Sequence, residues 1–258
     1  MVAVAYQLCV HIEVDNMDLL KPYLRIVRDQ IDGEFISDNR YSIDRQMLCR
    51  AYSIIENDLR KLFEYIEPCE DNINTYSHRT FELLMRAATE FEMNCKEILR
   101  ANGFIKTGNL NITDYYLINV PSKLSNYKVK MNFWQSNALI IQPFNSWSGE
   151  SYQPLEWYQA YNHAKHNRNM YFAEASIQNT IKAVTGLFII LFSQFGIDVF
   201  SPFQNSYMYN TDDDGGVFGD GSMMFTIIPP QWSRGEKYNF DWELLKSTAE
   251  PFNKYSFY

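Results

Sequence analysis

The feature that most constrains the fold is a long stretch, Ala175 to Phe195, that is apolar on nearly every side. A helix with an apolar surface all round has to be enclosed by other elements. Its most continuous apolar run, Val184 to Phe192, is interrupted by Thr185 and Gly186 and is too short to cross a bilayer. The stretch therefore predicts the central helix of a soluble protein, and no membrane segment is expected.

Composition and charge narrow the class of protein. The chain has 258 residues, 46% of them hydrophobic, and shows no internal repeat, which predicts a single domain over residues 1–258 with one sizeable core. The formal net charge is -8 at pH 7. Non-specific binding of long nucleic acid is driven by neutralisation of phosphates, so this charge argues against a surface of that kind. A small basic cleft is still compatible with it.

The cysteines and histidines give no sign of a metal or cofactor. Cys9, Cys49, Cys69 and Cys95 are scattered, with no pair at disulfide-framework or zinc spacing, which favours a reducing cytoplasm. His163 and His166 are three residues apart, but no Glu, Asp or Cys is placed to complete a metal site. The chain also lacks a phosphate-binding glycine loop. No metal and no cofactor are expected.

Helical periodicity dominates the first part of the chain. N-terminal helices are predicted within residues 16–68, one capped by Asn16 and running through Val27, the next capped by Ser42 and stopping at Pro68. The strongest pattern starts at Ser77, and Gly103 follows it where a left-handed C-terminal cap is expected. This pattern predicts a core helix.

Two segments look like additions to a helical core. Residues 107–153 read as an insertion with a short helix near Asp114 to Ile118, followed by a hairpin that pairs residues 127–133 with 138–142. Residues 196–258 read as an irregular C-terminal extension that folds back on the helices. Its loop Asp212 to Gly216 reads as a turn, because the final carboxylate of a calcium loop is absent.

A polar stripe marks the helix that Pro154 begins. Asn162 and His166 are four residues apart and therefore share one face, and Lys165 and Arg168 add two cations nearby. Amide, imidazole and cationic groups in such an arrangement can hold a phosphate and exchange a proton with it. The pattern predicts Asn162, Lys165, His166 and Arg168 as the candidate catalytic residues.

One carboxylate falls on the wrong face of the core helix. Glu92 lies inside the apolar arc of the helix from Ser77, so it needs a hydrogen-bonding or cationic partner, or else its pKa rises and it becomes neutral. Tyr158 and Tyr161 lie in the apolar arc of the stripe helix, with Lys165 and Arg168 within or beside it. We therefore expect Glu92 to face Lys165 or Arg168, with Tyr158 and Tyr161 in support.

A helix bearing Asn162, three further residues and His166, preceded by aromatic residues and followed by a long apolar helix, resembles the HEPN superfamily. The resemblance covers about residues 77–195. It implies a mainly α fold, an antiparallel helical bundle, here with a small β-hairpin insertion and the irregular extension. It also implies a homodimer in which two motif helices meet across a cleft. Many members of the family are metal-independent ribonucleases of toxin, antiphage or RNA-processing systems.

The family's ribonucleases carry an arginine ahead of the polar residue and the histidine, and here Tyr161 occupies that position. Lys165 and Arg168 can supply positive charge from the other side of His166. In the mechanism that the resemblance implies, the phosphodiester is transferred to the neighbouring ribose 2′-hydroxyl. His166 exchanges a proton with the attacking or leaving oxygen, and Asn162 orients it. Lys165 and Arg168 stabilise the charge that develops on the phosphoryl oxygens.

Structural roles compete with these catalytic ones. Asn162 and His166 can form a polar seam that fixes helix register or dimer geometry. Lys165 and Arg168 can form a structural ion pair with Glu92. Two functions follow: a metal-independent endoribonuclease of a toxin or defence system, or a non-catalytic HEPN-like homodimer that binds RNA, a nucleotide or a partner protein.

Overall fold

The computed structural model describes residues 19–28, 33–135, 137–201, 209–219 and 224–258. The helices are α1 (Arg45–Leu62), α2 (His78–Ala101), α3 (Ile112–Tyr116), α4 (Asn119–Ser122), α5 (Glu156–His166), α6 (Arg168–Tyr171), α7 (Ile177–Phe195) and α8 (Trp242–Leu245). The strands are β1 (Lys128–Met131), β2 (Leu139–Ile141), β3 (Tyr209–Thr211), β4 (Val217–Gly219) and β5 (Phe225–Ile228).

Helix α7 is the centre of the fold, as its all-round apolar sequence predicts. The Ser176 hydroxyl caps it by accepting a hydrogen bond from the Asn179 backbone N–H, and α1, α2 and α5 pack around it. In the part of the chain that the structure describes, this is the one helix long and apolar enough to cross a membrane. Because nearly all of it is buried inside the protein, it is a core helix.

Helices α1 and α2 confirm the helical periodicity of the segments after Ser42 and Ser77. Helix α1 nevertheless begins at Arg45 after Asp44 rather than at the predicted cap Ser42, whose hydroxyl donates to Asp44, and it ends at Leu62 before the predicted stop at Pro68. The Ser77 hydroxyl accepts from the Thr80 backbone N–H, and the Thr80 hydroxyl accepts in turn from the Ser77 N–H, so a capping box starts α2. Gly103 follows the end of α2 with a φ of 81°, the left-handed conformation predicted there. The predicted short helix of the insertion is α3.

The predicted N-terminal helix is wrong over the residues that the structure describes. Residues 19–28 contain no helix; instead Leu19 and Tyr23 form parallel bridges with Tyr238 and Asn253. Pro22 and the positive φ of Arg25, 58°, both oppose a continuous helix in this segment. The predicted cap Asn16 lies outside the described residues.

The prediction of a mainly α bundle with only a small hairpin is also wrong. Strands β1 and β2 pair antiparallel as predicted, but β1 also pairs antiparallel with β5 from the C-terminal extension. Over the described residues the result is a five-stranded antiparallel sheet with the order β2-β1-β5-β4-β3, so the fold is a mixture of helices and sheet. The C-terminal extension is therefore not irregular as predicted, because it contributes β3, β4 and β5. The hairpin is part of this sheet, and an all-α description does not apply.

Candidate functional site

Helix α5 carries the predicted motif, and its inner face is held in the core. The Trp157 indole N–H donates to the Pro143 carbonyl at 3.0 Å, and the Trp157 ring packs edge-on against Phe91 of α2. Tyr158 and Tyr161 are buried on the same side of the helix. This packing turns the opposite face, with Asn162 and His166, towards solvent.

The Tyr158 hydroxyl, rather than a cation of α5 or α6, is the closest partner of Glu92. It donates a hydrogen bond to Glu92 Oε1 at 2.7 Å, and Glu92 Oε2 lies 3.4 Å from Lys96 Nζ one turn along α2. Burial raises the pKa of the Tyr158 hydroxyl well above its ordinary value, and the hydrogen bond to Glu92 raises the pKa further. Tyr158 therefore stays a neutral donor to the carboxylate.

We expect Glu92 to face Lys165 or Arg168, but among the described residues neither cation forms a hydrogen bond or an ion pair with it. Lys165 Nζ donates to the Tyr161 hydroxyl at 2.9 Å and lies 4.9 Å from the centre of the same ring. The hydrogen bond to Tyr161 raises the pKa of Lys165, and the charge of Glu92 adds to the rise. Arg168 points elsewhere, because its guanidinium lies over the Phe81 ring at 5.6 Å.

The remaining motif residues are near the surface. Asn162 is half-buried and His166 is exposed, and within the described part of the chain neither side chain has a hydrogen-bond partner. His163 bonds through Nδ1 to Glu174 at 2.9 Å, and its ring lies against Tyr171. The structure thus brings Glu92, Tyr158, Tyr161 and Lys165 together, but leaves Asn162, His166 and Arg168 outside that group.

Glu92, Tyr158 and Lys165 line one cleft of about 690 Å³ between α2, α5 and the segment that follows α2. The amount of space is in the range typical of small-molecule sites. Besides these three residues the lining consists of Lys96, Arg100, Phe104, Ile105, Lys106, Gly108, Asn109, Leu110, Asn111 and Tyr115. We call this space the α2–α5 cleft. Asn162 and His166 are not part of its lining.

The α2–α5 cleft has four cations and one carboxylate in its lining, on a protein with a net charge of -8. Three of the cations already have a carboxylate partner within reach: Lys96 has Glu92 at 3.4 Å, Arg100 has Glu97 at 2.8 Å and Lys106 has Asp114 at 2.8 Å. Among the described residues no carboxylate lies within ion-pair distance of Lys165: its direct contacts are the hydroxyl and ring of Tyr161, and Glu92 acts on it only at longer range. Lys165 is therefore the cation best able to accept an external anion.

The wall of the α2–α5 cleft that α2 forms could be predicted from the sequence, whereas the wall formed by residues 104–111 could not. On α2, Glu92, Lys96 and Arg100 recur every four residues and so form one charged stripe, a signal that was readable from the spacing alone. Residues 104–111 carry no periodic signal, because they run as turns and irregular chain between α2 and α3. Their approach to Lys165 depends on tertiary packing.

The Asp212 loop is a turn, as its sequence predicts. Asp212 Oδ1 accepts from the backbone N–H groups of Asp214 and Gly216, and Lys130 Nζ binds the carboxylates of Asp212 and Asp214 at 2.8 and 2.5 Å. A lysine thus occupies the place that a cation would take in a metal loop. Across the described residues no group of three His, Cys, Asp or Glu side chains is arranged to hold a metal ion.

Comparisons of the chain with models of protein families, with curated proteins and with solved structures find no match. The HEPN resemblance therefore rests on the sequence motif alone. The function has to be argued from the chemistry of the site.

Proposed function

We propose that this protein binds a phosphate-bearing ligand in the α2–α5 cleft, with Lys165 as the principal anion contact. The observation that supports the proposal most directly is the concentration of cations there. Four of them line one cleft of an acidic protein, and for one of the four, Lys165, no carboxylate of the described residues lies within ion-pair distance. Charges of one sign that line a cleft focus their field on a ligand inside it.

The state of Lys165 suits this role. Its pKa is raised, chiefly by the hydrogen bond to Tyr161, so the ammonium is charged throughout the physiological pH range. An ammonium has three N–H donors, and the Tyr161 hydroxyl uses one of them. The other two are available to phosphate oxygens, while the buried Tyr161 ring restricts where the lysine can move.

Titration calorimetry with inorganic phosphate and pyrophosphate tests the proposal. We expect Lys165→Ala to weaken binding roughly tenfold or more, the loss of one charge-assisted hydrogen bond. Lys182→Ala is the matched control, because Lys182 pairs with Glu156 outside the cleft. Absence of binding by the wild type, or equal losses in the two variants, would contradict the proposal.

Metal-independent RNA cleavage is the second candidate function. Asn162 and His166 share one face of α5, and their side chains have no hydrogen-bond partner within the described chain, so both are available to a substrate. In this proposal His166 is the general acid and base, Asn162 orients the phosphodiester, Arg168 adds charge, and a homodimer brings two such sets together. A cytoplasmic location accompanies both candidates, because Cys49, Cys69 and Cys95 are free thiols.

Cleavage of mixed cellular RNA in excess EDTA tests the second candidate. Loss of cleavage in both His166→Ala and Asn162→Ala, with cyclic-phosphate ends produced by the wild type, is the expected result. His163→Ala is the control on the same helix, because His163 is engaged by Glu174. Equal cleavage by the wild type and His166→Ala would refute a role for His166.

A further inference from the structure

We infer that the ligand of the α2–α5 cleft is a nucleotide. Its phosphate meets Lys165, its ribose hydroxyl donates to Glu92, and its base lies on the apolar wall formed by Phe104, Ile105 and Leu110. This inference rests on the proposed phosphate binding and adds the class of ligand. A mononucleotide and the terminal nucleotide of an RNA share this chemistry.

The carboxylate is the first reason. A site for inorganic phosphate alone gains nothing from Glu92, because a carboxylate repels phosphate oxygens. Here Glu92 is fixed by Tyr158 through Oε1, whereas Oε2 has only the longer 3.4 Å contact with Lys96. The side chain is 16% exposed and lines the cleft. A fixed acceptor with a free lone pair suits a ligand that carries a hydroxyl as well as a phosphate.

The apolar wall is the second reason. Phe104, Ile105 and Leu110 line the same cleft, and Ile105 is 81% exposed. Tyr258 holds this wall in place. Its ring stacks on Phe104 with centroids 5.3 Å apart. Its hydroxyl accepts a hydrogen bond from the Ile105 backbone N–H at 2.7 Å and donates one to the Ile105 carbonyl at 3.1 Å. A fixed apolar surface beside charged groups suits a flat base, which is apolar on its faces.

Affinities for inorganic phosphate, ribose 5-phosphate, AMP and 2′,3′-dideoxy-AMP separate the three contacts. We expect AMP to bind at least about tenfold more tightly than inorganic phosphate, and dideoxy-AMP to lose roughly tenfold relative to AMP, the effect of one hydrogen bond to a charged acceptor. Ribose 5-phosphate should fall between phosphate and AMP, because it lacks the base. A 5′-phosphorylated RNA trinucleotide that binds more tightly than AMP would assign the site to RNA ends.

Variants of Glu92 test its role directly. In Glu92→Gln the difference between AMP and dideoxy-AMP should shrink several-fold, and the affinity for inorganic phosphate should rise because a repulsive charge is gone. Glu90→Gln is the matched control on α2, outside the cleft, and should keep the full difference. Phosphate binding that depends on Lys165, with no preference for AMP over phosphate or dideoxy-AMP, would overturn the inference and leave the proposed function standing. No binding of any of the four ligands would overturn both.

Discussion

Replacing Tyr161 with arginine would put a guanidinium where the structure holds a buried aromatic ring. The side chain is 2% exposed, packs against the Tyr158 ring with centroids 5.5 Å apart, and accepts a hydrogen bond from Lys165. An arginine at this position restores the residue of the ribonuclease pattern, but it also buries a charge next to another cation. We expect Tyr161→Arg to lower the free energy of unfolding and to add no RNA cleavage.

The magnitude follows from two effects. A buried charge without a partner costs about 3 to 5 kcal/mol, although the apolar stem of arginine retains part of the packing. Tyr161→Phe removes only the hydrogen bond and keeps the ring, so it should cost about 0.5 to 1.5 kcal/mol. Urea unfolding followed by circular dichroism measures both variants. A Tyr161→Arg protein within about 1 kcal/mol of Tyr161→Phe would refute the reasoning, because position 161 would then tolerate a charge.

Three further predictions concern stability. Phe188→Ala empties a fully buried site that stacks on Tyr52 and should cost about 3 to 5 kcal/mol in urea unfolding. Asp198→Asn removes the negative charge of a buried carboxyl group from its ion pair with the half-buried Arg45, and we expect a loss of up to similar size. The hydrogen bond from Lys123 lowers the pKa of Glu236 to about 2, below its unfolded value. The stabilisation by this carboxylate is therefore complete above about pH 5 and is lost as the pH falls towards 2. In Glu236→Gln the melting temperature should depend less on pH over that range.

Each of these has a control. Met170→Ala alters an exposed side chain and should lower the free energy of unfolding by less than about 0.5 kcal/mol. If Phe188→Ala lowers it by no more than Met170→Ala does, α7 is not the core. Glu82→Gln breaks an exposed ion pair with Arg79 and should cost less than about 1 kcal/mol; a loss no larger in Asp198→Asn would contradict the buried-pair argument. A pH profile of Glu236→Gln identical to that of the wild type would rule out a contribution from this carboxyl.

Helices could be predicted from the sequence because their signals are local. The Ser77 cap, the 3.6-residue period and Gly103 all lie within one segment, and the structure confirms each of them in α2. The sheet could not be predicted in this way. Tyr209–Thr211 is exposed along its whole length and shows no alternation, and the pairing of β1 with β5 joins segments far apart in the chain.

The candidate site could be predicted only in part. Helical spacing placed Glu92 on a buried arc, named Lys165 or Arg168 as its neighbour and gave Tyr158 and Tyr161 supporting roles. Tyr158 and Lys165 do line one cleft with Glu92, whereas Arg168 lies over Phe81. Spacing along a helix does not determine which neighbour makes the hydrogen bond. The Tyr158 hydroxyl bonds to Glu92 while Lys165 bonds to Tyr161, and a tyrosine, with fewer rotatable bonds than a lysine, loses less conformational entropy when it is held in such a contact.

The pairing of β1 with β5 has a consequence during synthesis of the chain. Lys128 is opposite Ile228, so the two strands are separated by 100 residues of translation (228 minus 128). At typical rates of elongation this corresponds to a delay of about 5 to 20 seconds. Throughout that interval the β1–β2 hairpin has an open edge on the nascent chain, and such an edge can pair with other polypeptides. We therefore expect this edge to need a chaperone that binds nascent chains until Ile228 has left the ribosome.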